Sequence, residues 1–545
     1  MYKLSRRAFL TQAAVAGVTA LCRPSQAGLL PSAPNKYRDL VPELYEPIPR
    51  PPAHTRAVVI GSGFGGAISA LRLAEARVET TVLERGQRWL IDPWREIHAY
   101  EPLPDGRGFW QRSTVSLPIV TPLGVPIPID RFGGVLEISR YPNMEVWRAA
   151  CVGGGSVVFT GVMIQPPRKY FDMIFGGMVS FDEMDAIYYP RVRAMLALST
   201  MPSDIYHSEP FGHSQLWDQQ VASAGYKPDP VESIFDWNVV RDELNGLTRP
   251  SATIGMSNLG NSNGAKFDLN RNYLRKAEDT GYASVYPNQQ VNDIERTGDG
   301  YRVYIAKLSP TGSVIDSYAI TCDYLFLAAG SIGTSELLVK AKTKGTIPGL
   351  NAEVGRGWGT NGDTVVVRSL NEVRGKTQGA PCASKIHEPD ASAPVSFENW
   401  YVPGLPVNVG ILGTLGMTLD LQNRGSFYYS PWTRRVSLRW SSSGSSLAQQ
   451  SARELNNRIA RYGEPASLPG LPPIVPDVWG DITAHPLGGA VLGKATDTHG
   501  RVMGQHRLYV MDGAMIPGST GTVNPSLTIS ALAERNIEHI IDTDL

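Results

Sequence analysis

The 545-residue sequence predicts an α/β protein. Its nucleotide-binding domain is built from separated stretches of chain, with an α+β domain carrying a large mixed or antiparallel sheet inserted between them. Three observations predict this. A strand–glycine turn–helix–strand unit opens at Ala57, a second strand ending in glycine closes at Gly330, and a third closes at Gly513 just before a terminal helix. Between these islands run long stretches rich in Trp, Pro and Tyr, with alternating patterns such as Arg435 to Trp440. No fixed-period repeat is present.

The chain begins with Ser5-Arg6-Arg7-Ala8-Phe9-Leu10, a weakly apolar run from Ala13 to Leu21, and small residues at Ser25 and Ala27. This reads as a twin-arginine export signal over residues 1–27, placing the protein in the periplasm or outside the cell. The apolar run is too short to cross a bilayer core of about 30 Å. Residues 28–55 read as a linker, whose proline-rich part from Pro42 to Pro52 lies extended.

Ala57-Val58-Val59-Ile60 is a β-branched run suited to a buried parallel strand. Gly61, Gly63 and Gly66 follow, with Phe64 and Gly65 between them, then a helix to Ala76, then a strand Thr80–Leu83 ending in Glu84. In such a unit the first glycine makes the turn, the second admits a pyrophosphate to the backbone, and the third lets helix pack on strand. The helix N-terminus then supplies free N–H groups and a favourable dipole. Glu84 stands where an acid accepts from a ribose 2′-OH, which argues against a 2′-phosphate and so against NADP. The fingerprint does not separate FAD from NAD.

Tyr324–Leu327 is the next strand, followed by a helix from Thr334 to Ala341; Leu508–Met511 is the last, followed by a helix from Leu527 to about Ile541. The nucleotide domain is accordingly assigned to 56–95, 265–355 and 500–545, and the substrate domain to 96–264 and 356–499. A glycine cluster inside 151–170, Gly153-Gly154-Gly155-Ser156, is able to bring N–H groups against a cofactor.

Lys and Arg total 51, as do Asp and Glu. That balance removes a general electrostatic case for nucleic acid or an anionic membrane as partner. The cysteines at 22, 151, 322 and 382 form no Cys-x-x-Cys pair. Those left after the leader leave room for at most one bridge. The nine histidines show no ligand spacing, so no metal is expected.

Read in order, GSGFGG, Glu84, VGGGS, LFLAAGSIGTSELL, HPLGG, MDGAMIPGS and VNPSLTISALAERN resemble the glucose-methanol-choline (GMC) oxidoreductases. Within that family the closer resemblance, carried by EVGRGWG, AHPLGGAVLGKATD and ALAERN, is to the bacterial cholesterol oxidases with non-covalent FAD. The resemblance implies FAD, held by Gly61, Gly63, Phe64, Gly65, Gly66, Glu84, Gly154, Gly155, Ser156, Val291, Asp512, Gly513, Asn524 and Pro525. It implies that His485 and Asn524 meet the substrate hydroxyl, and that Glu398 is the carboxylate facing a steroid ring. It further implies a sterol-like hydrophobic alcohol as substrate, O2 or another electron acceptor, transient contact with a membrane surface, and a monomer.

The residue chemistry agrees with these roles. Oxidising an alcohol removes the O–H proton while hydride leaves carbon; an imidazole suits the first task and an amide can hold the oxygen. Local chemistry also offers Asn524 as a helix N-cap before Pro525, and Glu398 as a solvated or ion-paired carboxylate. The chain departs from the steroid oxidases at Phe159–Val162, at one extra residue within Thr520–Val523, and at Ser526, where those enzymes place a Phe. Two alternatives stay open: a dehydrogenase using another acceptor or another hydrophobic alcohol, and a flavin or apolar-ligand binder without turnover.

Overall fold

A run of four apolar residues, Ala57 to Ile60, all at most 4% exposed, forms the end of strand β1 (His54–Ile60) at the centre of the main sheet. The computed structural model describes residues 33–115, 126–405, 407–467 and 481–545; the export signal expected at 1–27 lies outside them. The chain divides into two compact units, up to Pro42 and from Glu43 onward. The described part of the first holds a helix, Ala33–Leu40. That helix falls within the residues expected as a linker, and the proline-rich stretch expected to be extended opens with a 3-10 turn at Pro42–Tyr45.

In the second unit β1 leads through the glycine turn into α1 (Phe64–Glu75) and back into β2 (Thr80–Leu83). Both strands pair in parallel, Ala57 opposite Thr80 and Ile60 opposite Leu83. Strand β3 (Ala283–Tyr286) extends the parallel set beyond β2. On the other side of β1 lies β6 (Val314–Leu327), whose first half carries the antiparallel meander of β4 (Gln289–Thr297) and β5 (Gly300–Leu308). The last turn of β6 pairs instead with the short parallel strand Leu508–Val510. All parallel strands thus end on one edge, where the open α/β rule places ligands.

Helix α1 is buried on nearly every face because it lies against both the terminal helix Ser526–Asp544 and the helix Tyr273–Asp279. Its one cation, Arg72, makes a two-pronged bond to Glu534, Nε and Nη2 donating at 2.8 Å each. The Tyr273 hydroxyl donates to the same carboxylate at 2.8 Å. Glu534 is fully buried, so paired, hydrogen-bonded charges close this helix layer.

The second sheet is antiparallel, ordered β7 (Asp363–Ser369), β10 (Ile411–Thr418), β9 (Val395–Trp400), β8 (Ser384–Glu388), with a short edge strand at Asp229–Pro230. One face packs Val366, Phe397 and Leu412 on Leu216 and Trp217 of one helix and Leu455 and Ile459 of another. Alternation along a strand then turns Asp363, Val365, Glu398 and Leu415 to the opposite face. Glu43–Leu545 forms one compact unit, so this sheet closes on the nucleotide-binding sheet. Cys151, Cys322 and Cys382 are buried and free, so none of them forms a bridge. Among the described residues no helix is long and apolar enough to cross a membrane.

Candidate active site

A cavity of about 790 Å³ runs between the two sheets. Its lining takes in Gln290, Val291 and Lys340, the glycine segments with Gly61, Gly63, Phe64, Gly65, Gly154 and Gly155, the acid Glu84, and Asp512, Gly513, Asn524, Pro525 and His485. Nearly every residue expected at the cofactor therefore lines one space. Gly66 and Ser156 do not. Ser156 is buried beneath the second glycine cluster, where its Oγ donates to Gly153 O at 2.7 Å and accepts from Leu269 N at 3.1 Å.

The glycines differ in what they permit. A Cβ on Gly65 would sit 1.7 Å from Met511 O, so this position is needed for backbone packing. A Cβ on Gly63 would meet nothing nearer than Gly154 Cα at 3.9 Å; it would project into the cavity, where a phosphate group could otherwise approach. Glu84 is buried and braces the turn. It accepts from Ser62 N at 3.1 Å, Ser62 Oγ at 2.8 Å and Gly86 N at 2.9 Å. Those bonds leave one of its roughly four lone-pair positions for a ribose hydroxyl. Ser62 Oγ also accepts from Gly153 N at 3.2 Å, tying the two glycine segments together. The glycine approach and the buried acid fit an adenine dinucleotide. Asp512 accepts from Thr334 Oγ1 at 2.5 Å and Ala514 N at 2.8 Å. Burial outweighs both bonds and pushes its carboxyl up to about 6.

Three sequence-chosen residues converge. Asn524 Nδ2 donates to Glu398 Oε2 at 3.3 Å. Glu398 is 1% exposed, and its Oε1, like Asn524 Oδ1, has no partner among the described residues. Burial pushes its carboxyl up to about 7, against the charge of His485 and the Asn524 bond. Glu398 is thus neither solvated nor ion-paired, and it sits behind the residues that wall the cavity. Asn524 is not the helix cap that its place before Pro525 implies: Pro525 takes that position, with Ile529 N donating to its carbonyl. Asn524 Oδ1, the atom a cap would use, has no partner among the described residues.

His485 Nδ1 lies 2.7 Å from Asp363 Oδ1. Asp363 Oδ2 accepts from Thr483 Oγ1 at 2.9 Å, Ala484 N at 3.0 Å and His485 N at 3.2 Å. Burial pulls the imidazole pKa down, but the Asp363 charge and hydrogen bond, with Glu398 behind, raise it overall. Two residues before, Asn361 Oδ1 accepts from Thr520 N at 2.8 Å, and its Nδ2 donates to Val523 O at 2.8 Å. The turn Asn361–Asp363 therefore holds both the His485 and the Asn524 loops. Sequence reading missed it, and only its Asn-Gly-Asp turn chemistry marks it. The extra residue expected before Asn524 falls in a loop where Thr522 is left-handed, φ 65°.

The wall beyond His485 is apolar, with Phe159, Val365, Val367, Trp400 and Leu415 among its residues. The arrangement can hold an alcohol oxygen between an imidazole and an amide in the same cavity that the glycine segments line.

The sequence pattern of the family described as GMC oxidoreductase matches residues 474–533. A cholesterol oxidase of Mycobacterium tuberculosis is 28% identical, covering 88% of this chain and 89% of that protein. A cholesterol oxidase of Acinetobacter baumannii is 24% identical over 89% and 94%. Among solved structures, a pyridoxine 4-oxidase from Mesorbium loti shares the fold. Its TM-score is 0.60 at 14% identity, with 90% of this chain and 100% of that one covered.

Proposed function

We propose that this chain, which belongs to the GMC oxidoreductases and is an FAD-dependent enzyme acting on alcohols, oxidises the secondary hydroxyl of a bulky apolar molecule, best a 3β-hydroxysteroid. The observation that carries the reading is the pairing of His485 and Asn524 with an apolar wall in one cavity. The names of its cholesterol oxidase relatives point the same way.

FAD, when bound along the glycine segments, supplies the hydride acceptor. The chain's own residues do the rest. Because Asp363 only accepts, the imidazole proton belongs on Nδ1, leaving Nε2 to take the alcohol proton. Asn524 holds the oxygen as charge develops on it. For a 5-ene substrate, oxidation at C3 acidifies C4, and Glu398, in its ionised form and with the substrate brought to its free Oε1, would carry one proton from C4 to C6, giving the 4-en-3-one. Oxygen completes turnover, yielding H2O2. Export by the twin-arginine route, which carries folded proteins, suits an enzyme loaded with cofactor before leaving the cytoplasm. A sterol-like substrate would be drawn from a membrane surface by transient contact.

Anaerobic mixing of purified enzyme with a panel of hydrophobic alcohols tests this. A 3β-hydroxysteroid should bleach the flavin band, and admitted air should restore it with H2O2. Bleaching only by small polar alcohols would refute the substrate class, and failure of air to restore colour would point to another acceptor.

A further inference from the structure

The Asp363 carboxylate accepts four hydrogen bonds, all of them from the segment that carries His485. Its side chain is 5% exposed and that of His485 14%, so the pair is shielded from solvent while His485 still walls the cavity. Thr483 Oγ1, Ala484 N and His485 N converge on Oδ2, which fixes the carboxylate in one orientation and leaves Oδ1 for Nδ1. Among the described residues, no side chain or backbone group bonds His485 Nε2.

We propose that Asp363 is a positioning residue for His485, holding the imidazole with its proton on Nδ1 and Nε2 open toward the substrate oxygen. The proposal deepens the alcohol-oxidation reading and, for its kinetic arm, rests on it. The charged groups facing His485 are Asp363 on β7 and Glu398 on β9, with Lys385 opposite Glu398 across the sheet. Of these only Asp363 touches the ring.

The argument gives Asp363→Asn a specific consequence. The donors gathered at Oδ2 require an acceptor there, so the new amide turns its oxygen toward them. Its NH2 then faces Nδ1, and a donor opposite Nδ1 forces the neutral ring to carry its proton on Nε2. The base is thereby blocked, as in serine hydrolases whose buried Asp becomes Asn. Loss of the negative charge also lowers the pH at which the ring titrates.

Holoenzyme labelled with 15N-histidine reports the tautomer directly, with His485→Gln assigning the resonances. In the parent, the neutral ring should show Nδ1 protonated and Nε2 free. In Asp363→Asn the pattern should invert, and the titration midpoint should fall by about one pH unit or more. Flavin reduction by a 3β-hydroxysteroid should slow by about 10²–10⁴-fold. Adding Asp363→Asn to His485→Gln should cost little more, since the two act as one unit. Asp363→Glu, which keeps the charge, should restore the parental tautomer in part. A parent ring protonated on Nε2 refutes the proposal even if Asp363→Asn fails to fold; so do an unchanged tautomer in the variant and fully additive losses. If no alcohol bleaches the parental flavin, the oxidation reading fails, while the tautomer still decides the role of Asp363.

Discussion

Replacing Glu398 by Gln tests the electrostatics of the site through stability, with no substrate required. The carboxyl is fully enclosed, and burial pushes it from its ordinary 4.5 up to about 7. Because the folded value lies above the unfolded one, the folded protein keeps a proton that the unfolded chain releases. Its contribution is therefore fully present below pH 4.5 and is lost as pH rises toward 7. The interval from 4.5 to about 7, at about 1.4 kcal/mol per unit, amounts to about 3 kcal/mol. With an unfolding entropy of about 2 cal/mol/K per residue, that is about 3 °C in Tm for a chain of this length. His485 adds to the same trend. Its raised value stabilises below the unfolded pKa and fades as pH rises, and removing Glu398 weakens that contribution. Gln fills the same space and still accepts from Asn524. Thermal unfolding of FAD-loaded parent and Glu398→Gln across pH 4.5–7.5 should therefore show the variant gaining on the parent by about 3 °C. A Tm difference that stays flat across that range would refute a buried, protonated Glu398.

His485→Gln should bind FAD normally but reduce it about 10²–10⁴-fold more slowly; a rate within about threefold of the parent would remove His485 from proton transfer. Gly63→Ala should fold with the parental apo-protein Tm yet lose FAD, read from absorbance after desalting, because its Cβ enters only the cavity. Gly65→Ala should instead destabilise the apo-protein, since its Cβ would strike Met511 O, and equal behaviour of the two variants would contradict the assignment. Changing Arg6 and Arg7 together to Lys should leave precursor-sized protein in the cytoplasm on cell fractionation; normal export would overturn the twin-arginine reading.

In the parallel sheet, β1, the end of β6 and Leu508–Val510 were legible as short apolar runs leading to glycine, and β2 as the strand closed by Glu84. Strand β3, with Ser284 and tyrosine-flanked ends, carried no such mark. Strand β6 was read only from Tyr324 because Val314 to Ala319 are exposed or half-buried beside the antiparallel meander, so the continuous apolar run begins late. His485, Asn524 and Glu398 stood out through flanking motifs, and the fold brings them together at the cavity. Asp363 escaped notice because its partner lies 122 positions away, and no local spacing records a contact of that range. Asn-Pro-Ser is sound cap chemistry in isolation, but the helix starts one residue later, with Pro525 in the cap position, so Asn524 Oδ1 meets no backbone N–H there. Ser62 was passed over as a spacer between glycines, although its hydroxyl joins Glu84 to Gly153.

Two carboxylates flank one imidazole, and their surroundings assign them opposite tasks. Asp363 receives four donors, the pattern that suits an anion, and so favours a protonated neighbouring ring. Glu398 receives a single amide at 3.3 Å and no water-accessible surface worth noting, so the neutral acid is favoured until near pH 7. If both were ionised beside a neutral imidazole, two like charges would share a buried pocket, which costs far more than protonating one of them. One proton therefore resides on the His485–Glu398 pair over a range of pH around neutrality, and the titration belongs to the pair. An alcohol entering this site meets a base whose readiness depends on where that proton sits. The pH profile of flavin reduction should for that reason shift in both Asp363→Asn and Glu398→Gln, and in the same direction, because each removes negative charge that stabilises the imidazolium. Opposite shifts would mean that the two carboxylates do not act through His485.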